Sequence, residues 1–268
     1  MSFPAPAPDS FALITGASQG IGEAIARQLA AEGYNLILVA RRQDVLQQLG
    51  DELSLTHGVD IEIFAGDLSK QRDVDALIRH IGNRTISICV NSAGIASFGP
   101  FMAQDWEYET NQFNLNATAV FRITKAVLDQ MVPRGEGALC NVGSAAGNLP
   151  IPNNATYVFT KAGVNMFTEA LHYELKDSGV HVTLLAPGPV REAYIPEEEQ
   201  TIVDKVVPDF LWTTYESCAA ETIRAMKANR RRIVPGPLSK AMDVVSNYAP
   251  RGWLPPIMGK FYAQMGEE

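Results

Sequence analysis

Tyr157 and Lys161 stand four residues apart in a segment that reads as a helix, so their side chains share one face. A free phenol titrates near ~10, too high for proton exchange at neutral pH. A lysine ammonium close by favours the phenolate and lowers that value, giving a general acid toward a carbonyl or a general base toward an alcohol. The spacing alone is common on helix surfaces. Ser144, at the end of an apolar run upstream, strengthens it, because its hydroxyl can hydrogen-bond the same substrate oxygen. Asn116, in a long helical segment, is a candidate polar support for Lys161 through a water; on local grounds a surface asparagine is nearly as good a reading.

A second constellation, Thr15-Gly-Ala-Ser-Gln-Gly-Ile-Gly22, joins an apolar run to an amphipathic segment. Gly16, Gly20 and Gly22 permit a tight turn, and with Ser18, Gln19 and Ile21 they bring backbone close to a pyrophosphate at a helix N-terminus. Its place, directly after a first strand and before a helix, favours a dinucleotide site over a plain turn. The second apolar run ends Ala40-Arg41-Arg42, where a site restricted to NAD would carry a carboxylate. Two guanidinium groups there suit a 2′-phosphate, so NADP(H) is the expected cofactor. A merely solvated helix start is the weaker reading, since basic residues there oppose the helix dipole. Gln19, where a basic residue would strengthen the case, tempers it. Asp67, with Leu68 beside it, is placed to accept from an adenine edge, and Asn91, Ala93 and Gly94 end the fourth run, where small residues let backbone pass close to the cofactor. Each of these taken singly is an ordinary turn residue.

The elements that must position these groups alternate. Strands are expected at Phe11–Thr15, Asn35–Ala40, Ile61–Ala65, Ile86–Asn91, Ala138–Gly143, His181–Ala186 and Arg232–Val234, apolar on both faces as in a covered parallel sheet. Helices are expected at Ile21–Glu32, Gln43–Leu55, Arg72–Ile81, Gln112–Met131, Ala155–Lys176 and Glu216–Lys227. This alternation predicts an α/β, Rossmann-like doubly wound sheet that binds ligands beyond the carboxyl ends of its strands. The expected organisation is an extended leader at 1–9, one domain over 10–235 with a substrate lid at 192–214, and a C-terminal tail at 236–268.

A net charge of −8 argues against nucleic acid as a partner. Three scattered cysteines read as small core residues, and four histidines without ligand spacing make a metal site improbable. No apolar run reaches the ~20 residues of a membrane span, and the first residues are unlike a secretory signal. A cytoplasmic setting is expected, with contact between the C-terminal tail and the inner face of the membrane as an alternative to packing against the domain or a partner subunit.

The ordered set TGASQGIG, NSAG, Asn116, Ser144, Tyr157/Lys161 and Pro187-Gly188 resembles the short-chain dehydrogenase/reductases, over roughly residues 10–190. The resemblance implies that Asn116, Ser144, Tyr157 and Lys161 form a catalytic tetrad. It further implies that Lys161 binds the nicotinamide ribose, that Val190 contacts the carboxamide, and that the chain forms a homo-oligomer, a dimer or tetramer, through its two long helices. One departure is Glu192, which stands where that family often has threonine; a carboxylate repels a pyrophosphate, so Glu192 is expected to point away. Longer runs, among them Val207-Pro-Asp-Phe-Leu-Trp212 and Tyr248-Ala-Pro-Arg251, resemble the branch that reduces 3-oxo mycolate precursors in mycolic-acid-making actinobacteria. That implies a lipophilic β-keto substrate, for which Tyr194, Ile195, Phe210, Leu211 and Trp212 would form an apolar lid. An ordinary core under a long loop is an equal reading of the lid. Reduction of smaller ketones, ketosteroids or β-ketoacyl thioesters, and a non-catalytic NADP(H)-binding sensor or scaffold, are the alternatives.

Overall fold

Short β-branched runs, each followed by an amphipathic stretch, build the sheet. The computed structural model describes residues 2–192 and 212–248. Its strands are β1 (Ser10–Thr15), β2 (Asn35–Ala40), β3 (Ile61–Ala65), β4 (Thr85–Asn91), β5 (Gly137–Val142), β6 (Val180–Leu185), β7 (Val190–Arg191), β8 (Thr213–Thr214) and β9 (Arg232–Ile233). Seven of them pair in parallel in the order β3-β2-β1-β4-β5-β6-β9. Helices α1 (Gly20–Ala31), α2 (Gln43–His57), α3 (Gln71–Ile81), α4 (Trp106–Phe113), α5 (Val120–Arg134), α6 (Ala155–Glu174), α7 (Tyr215–Lys227) and α8 (Pro237–Tyr248) complete the described chain.

Successive strand residues point to opposite faces, and both faces are covered. Ile14, Leu36 and Leu38 pack with Ile25 and Leu29 of α1 and Ile223 of α7 on one side. Leu13, Ile37 and Val39 pack with Leu77 of α3 and Ile123 and Val127 of α5 on the other. Chain order reverses between β1 and β4, whose neighbours run out in opposite directions, and this switch opens the crevice that the site occupies.

Cys89, Cys140 and Cys218 are free and buried, in keeping with a packing role, and burial pushes the thiols of Cys140 and Cys218 up to about 12. No helix among the described residues is long and apolar enough to cross a membrane.

Three local features differ from the sequence expectation. The segment expected as one helix over Gln112–Met131 is α4, a π-helical turn at Asn114–Ala119, and then α5. A hydrophobic period does not register one widened turn, which resets the faces of the residues it contains. Residues 237–248, expected to belong to an undivided tail, form α8. A parallel ribbon of β7 and β8 joins the two ends of the segment between residues 192 and 212.

Candidate active site

The carboxyl edge of the sheet opens into a cleft of about 600 Å³. Gly16, Ser18, Gln19, Gly20 and Ile21 line one part of it, with Arg41, Arg42, Asp67 and Leu68. Ala93 and Gly94 form its middle, and Ser144, Tyr157, Lys161, Pro187, Gly188 and Val190 its other part.

The glycine turn is shaped by contact. Gly16 has φ +70°, and a Cβ there would lie 2.8 Å from the backbone nitrogen of Ala93, so only glycine lets the turn press against the end of β4. Gly22 does not line the cleft: a Cβ on it would run into the carbonyl oxygen of Gly16, so its role is to seat α1 directly behind the turn. Thr15 adds a latch that spacing alone did not reveal. Its Oγ1 accepts from Ser92 N at 3.0 Å and Ala93 N at 3.1 Å, fixing the ends of β1 and β4 to each other. A hydroxyl as the last residue of a strand was the available signal.

The two arginines divide their work. Arg42 donates from Nη2 to Ser18 O and Ser18 Oγ, both at 3.2 Å, and to Gln19 Oε1 at 2.6 Å, so it braces the glycine turn. Arg41 is exposed on the cleft rim. Asp67 accepts from Ser69 N at 3.0 Å through Oδ1. Asn91, like Gly22, is an expected cofactor residue that does not line the cleft. Its amide turns into the core and donates to Asn141 Oδ1 at 2.9 Å and Thr124 Oγ1 at 3.2 Å, because the last residue of a central strand keeps one face inward.

At the other end, Ser144 caps a short 3-10 turn over Ala145–Asn148, its Oγ accepting from Ala146 N at 3.1 Å. Tyr157 and Lys161 rise from the first turns of α6 on the same face. Lys161 is 5% exposed, donates from Nζ to Val142 O at 2.9 Å, and sits 5.7 Å from the centre of the Tyr157 ring. Asn116 is buried and lies outside the cleft lining, which removes the surface reading. Through the π-turn its amide clamps the loop after β4, accepting from Ile95 N at 3.0 Å and donating to Ile95 O at 2.8 Å and Thr160 Oγ1 at 3.3 Å. A Cβ on Gly94 would lie 3.2 Å from Asn116 Oδ1 and 3.5 Å from Lys161 Nζ. Glycine there keeps open the space between them.

Burial pushes the Tyr157 phenol above its ordinary value, and a hydrogen bond with the Ser144 hydroxyl works against that rise. Burial also brings the Lys161 ammonium down to about 8. Burial thus favours the neutral form of both groups.

Of the expected lid, Tyr194, Ile195, Phe210 and Leu211 lie outside the described residues. Trp212 is half-buried beneath the Arg191 guanidinium, 4.9 Å from ring centre to charge, and does not line the cleft. Tyr215 does line it, with its ring 3.5 Å from where a Gly20 Cβ would be. Glu192 is exposed and lines a smaller groove with Glu23, Arg27 and Glu216, which shares Gly20 and Tyr215 with the cleft.

A glycine-turned Rossmann cleft that ends on a serine, a tyrosine and a lysine defines an oxidoreductase site for a nicotinamide dinucleotide. The chain belongs to the short chain dehydrogenase family, whose model matches residues 10–201. Members of that family use NAD(P)H, and the residues lining the cleft fit such a group. A "Very-long-chain 3-oxoacyl-CoA reductase" from Neurospora crassa is 38% identical over 181 residues, 66% of this chain and 54% of that protein. A "Sulfoacetaldehyde reductase 2" from Chromohalobacter salexigens is 34% identical over 220 residues, 79% of this chain and 84% of that protein. Among solved structures, a short-chain dehydrogenase from Sphingobium yanoikuyae in complex with NADPH has a TM-score of 0.77 at 28% identity, covering 90% of this chain and 97% of that one. The chain spans little more than half the length of the very-long-chain 3-oxoacyl-CoA relatives it matches.

Proposed function

We propose that this protein reduces a ketone to a secondary alcohol with NADPH, and that its substrate is a long-chain 3-oxo lipid of the mycolate-precursor kind, made for the cell envelope. The observation that carries the reading is one cleft with arginines at one end and Ser144, Tyr157 and Lys161 at the other. Arg41 on the cleft rim favours the phosphorylated dinucleotide, while Arg42 braces the turn; the names of the 3-oxoacyl relatives support the substrate class.

A bound nicotinamide supplies the hydride. The chain supplies the proton and the orientation. The substrate oxygen accepts from Ser144 Oγ and Tyr157 Oη, which aim the carbonyl carbon. As negative charge grows on that oxygen, the phenol gives up its proton to it and becomes a phenolate. The Lys161 ammonium, 5.7 Å from the ring centre, stabilises that phenolate in a poorly solvated site. Asn116 acts at one remove, by holding the loop at Ile95.

The test is NADPH oxidation against 3-oxo esters and thioesters of increasing chain length. A kcat/KM that rises with chain length supports the lipid substrate. A preference for small carbonyls, as the likeness to a sulfoacetaldehyde reductase would favour, supports the second reading. Failure with every carbonyl despite NADPH binding leaves the non-catalytic sensor.

The same proposal includes a homo-oligomer and a cytoplasmic setting. Phe113 stacks on Phe159 at 5.5 Å, and Phe121 tilts against Phe167 at 5.4 Å, leaving an apolar stripe on the outer faces of α4, α5 and α6. Phe121 and Phe159 are more than half exposed, a cost that a second copy would offset. Light scattering of the native protein and of F159E decides it: a dimer or tetramer reduced to monomer supports the stripe as the interface, and a monomeric native protein sinks it. Residues 249–268 of the C-terminal tail, where a membrane contact would arise, lie outside the described residues.

A further inference from the structure

Helix α8 reaches the catalytic serine through a line of polar side chains. Asp243 on α8 accepts twice at Oδ1, from Arg232 Nη2 at 2.6 Å and from Asn148 Nδ2 at 2.7 Å. Arg232 also donates from Nη1 to Glu169 Oε1 of α6 at 3.2 Å. The side chains of Arg232 and Asp243 are only 12% and 13% exposed, a setting in which charges persist only when partnered. Asn148 Oδ1 accepts from Asn165 Nδ2 at 3.3 Å. Asn165 then grips both polar groups of one residue: its Nδ2 donates to Ser144 O at 2.9 Å and its Oδ1 accepts from Ser144 N at 3.3 Å.

The direction of this line is set at both ends, by the Asp243 carboxylate at one and by the backbone of Ser144 at the other. An amide can be turned either way, whereas an ionised carboxylate only accepts. Asp243 therefore requires the Nδ2 of Asn148 to face it, which turns Oδ1 of Asn148 toward Asn165. That oxygen meets the Nδ2 of Asn165, whose own orientation the Ser144 carbonyl and N–H demand, so the two ends agree and the line closes. We propose that Asp243 is a positioning residue for the reaction, fixing the backbone of Ser144 through the oriented amides of Asn148 and Asn165. The inference rests on the reductase reading. It makes α8 a working part of the active site, although α8 contributes no group to the chemistry itself.

The test compares the native protein with D243A, D243N, N148A and the D243A/N148A double variant, using NADPH and a β-ketoester. D243A should lower kcat about tenfold, the scale of a modest misplacement, while NADPH affinity stays within about twofold. D243N keeps a carbonyl oxygen at the same place and should restore most of the rate. The double variant should be no slower than N148A, since both changes cut one line. N148A leaves the Arg232–Asp243 pair intact and carries the same test should D243A not fold. An unchanged kcat in D243A or N148A, a parallel loss of NADPH affinity, a D243N as slow as D243A, or additive losses would each overturn the inference. A native protein that reduces no carbonyl overturns the reductase reading instead. Hydrogen exchange at the Ala145–Gly147 amides still decides the line in that case, with faster exchange in D243A expected and unchanged exchange overturning it.

Discussion

Lys161 donates from Nζ to the carbonyl oxygen of Val142 at 2.9 Å, so its ammonium is anchored to the end of β5 rather than to the phenol of Tyr157. The lysine thus holds a fixed charge near the ring, useful to a phenolate once the proton has left. It also joins α6 to the central strand that delivers Ser144.

That charge is expected to be lost within the working range. Burial brings the ammonium from 10.5 to about 8, so kcat/KM for reduction should fall as pH rises through about 8. The sign for stability is opposite: between about 8 and 10.5 the unfolded chain holds the proton that the folded chain has released, so unfolding free energy rises with pH there. A pH–rate profile under NADPH saturation that stays flat well beyond that midpoint would refute the assignment.

Tyr157→Phe removes the proton donor and keeps the ring. Its kcat should drop by about 10²–10⁴-fold, with NADPH affinity nearly unchanged. Single-turnover kinetics and fluorescence titration read the two quantities. A variant that keeps substantial rate shows that another group supplies the proton.

Arg41 and Arg42 should separate in a cofactor comparison. Arg42 braces Ser18 and Gln19, so Arg42→Ala should weaken NADPH and NADH together. Arg41→Ala should remove about 1.5–3 kcal/mol from NADPH binding and little from NADH, as for a charge-assisted contact to a phosphate. Equal losses with both dinucleotides in Arg41→Ala would remove the phosphate role.

Thr15→Val keeps the shape of the strand end and deletes the acceptor of two backbone N–H groups. It should cost about 1–3 kcal/mol of stability. NADPH binding should weaken with it, because the end of β4 forms the middle of the cleft. A denaturant midpoint equal to the native one would show that water replaces the hydroxyl at no cost.

Much of the fold is legible in the chain because it is local. The two-sided apolar strand at Asn35–Ala40 suits a covered parallel sheet, and its limits and those of the edge strand Ile61–Ala65 agree with the structure to the residue. The site follows for the same reason: a glycine turn after the first strand and a tyrosine and lysine one helical turn apart fall at strand and helix ends that the alternation already dictates.

Other features depend on partners distant in sequence. Asn91 and Asn116 are both polar residues near the crevice, and nothing local says that one turns into the core while the other clamps Ile95. Gly22 serves helix packing rather than the cleft. The π-turn that buries Asn116 shifts hydrogen bonds by one residue without a compositional mark, and α8 finds its place partly through the bond between Asp243 and Asn148, 95 residues apart along the chain. The sequence by itself determined which groups are available and the order of the elements that carry them, since periodicity and turn chemistry act over a few residues. Tertiary structure alone decided which way the polar side chains face and how far burial moves their protons, because both depend on neighbours that only folding brings together.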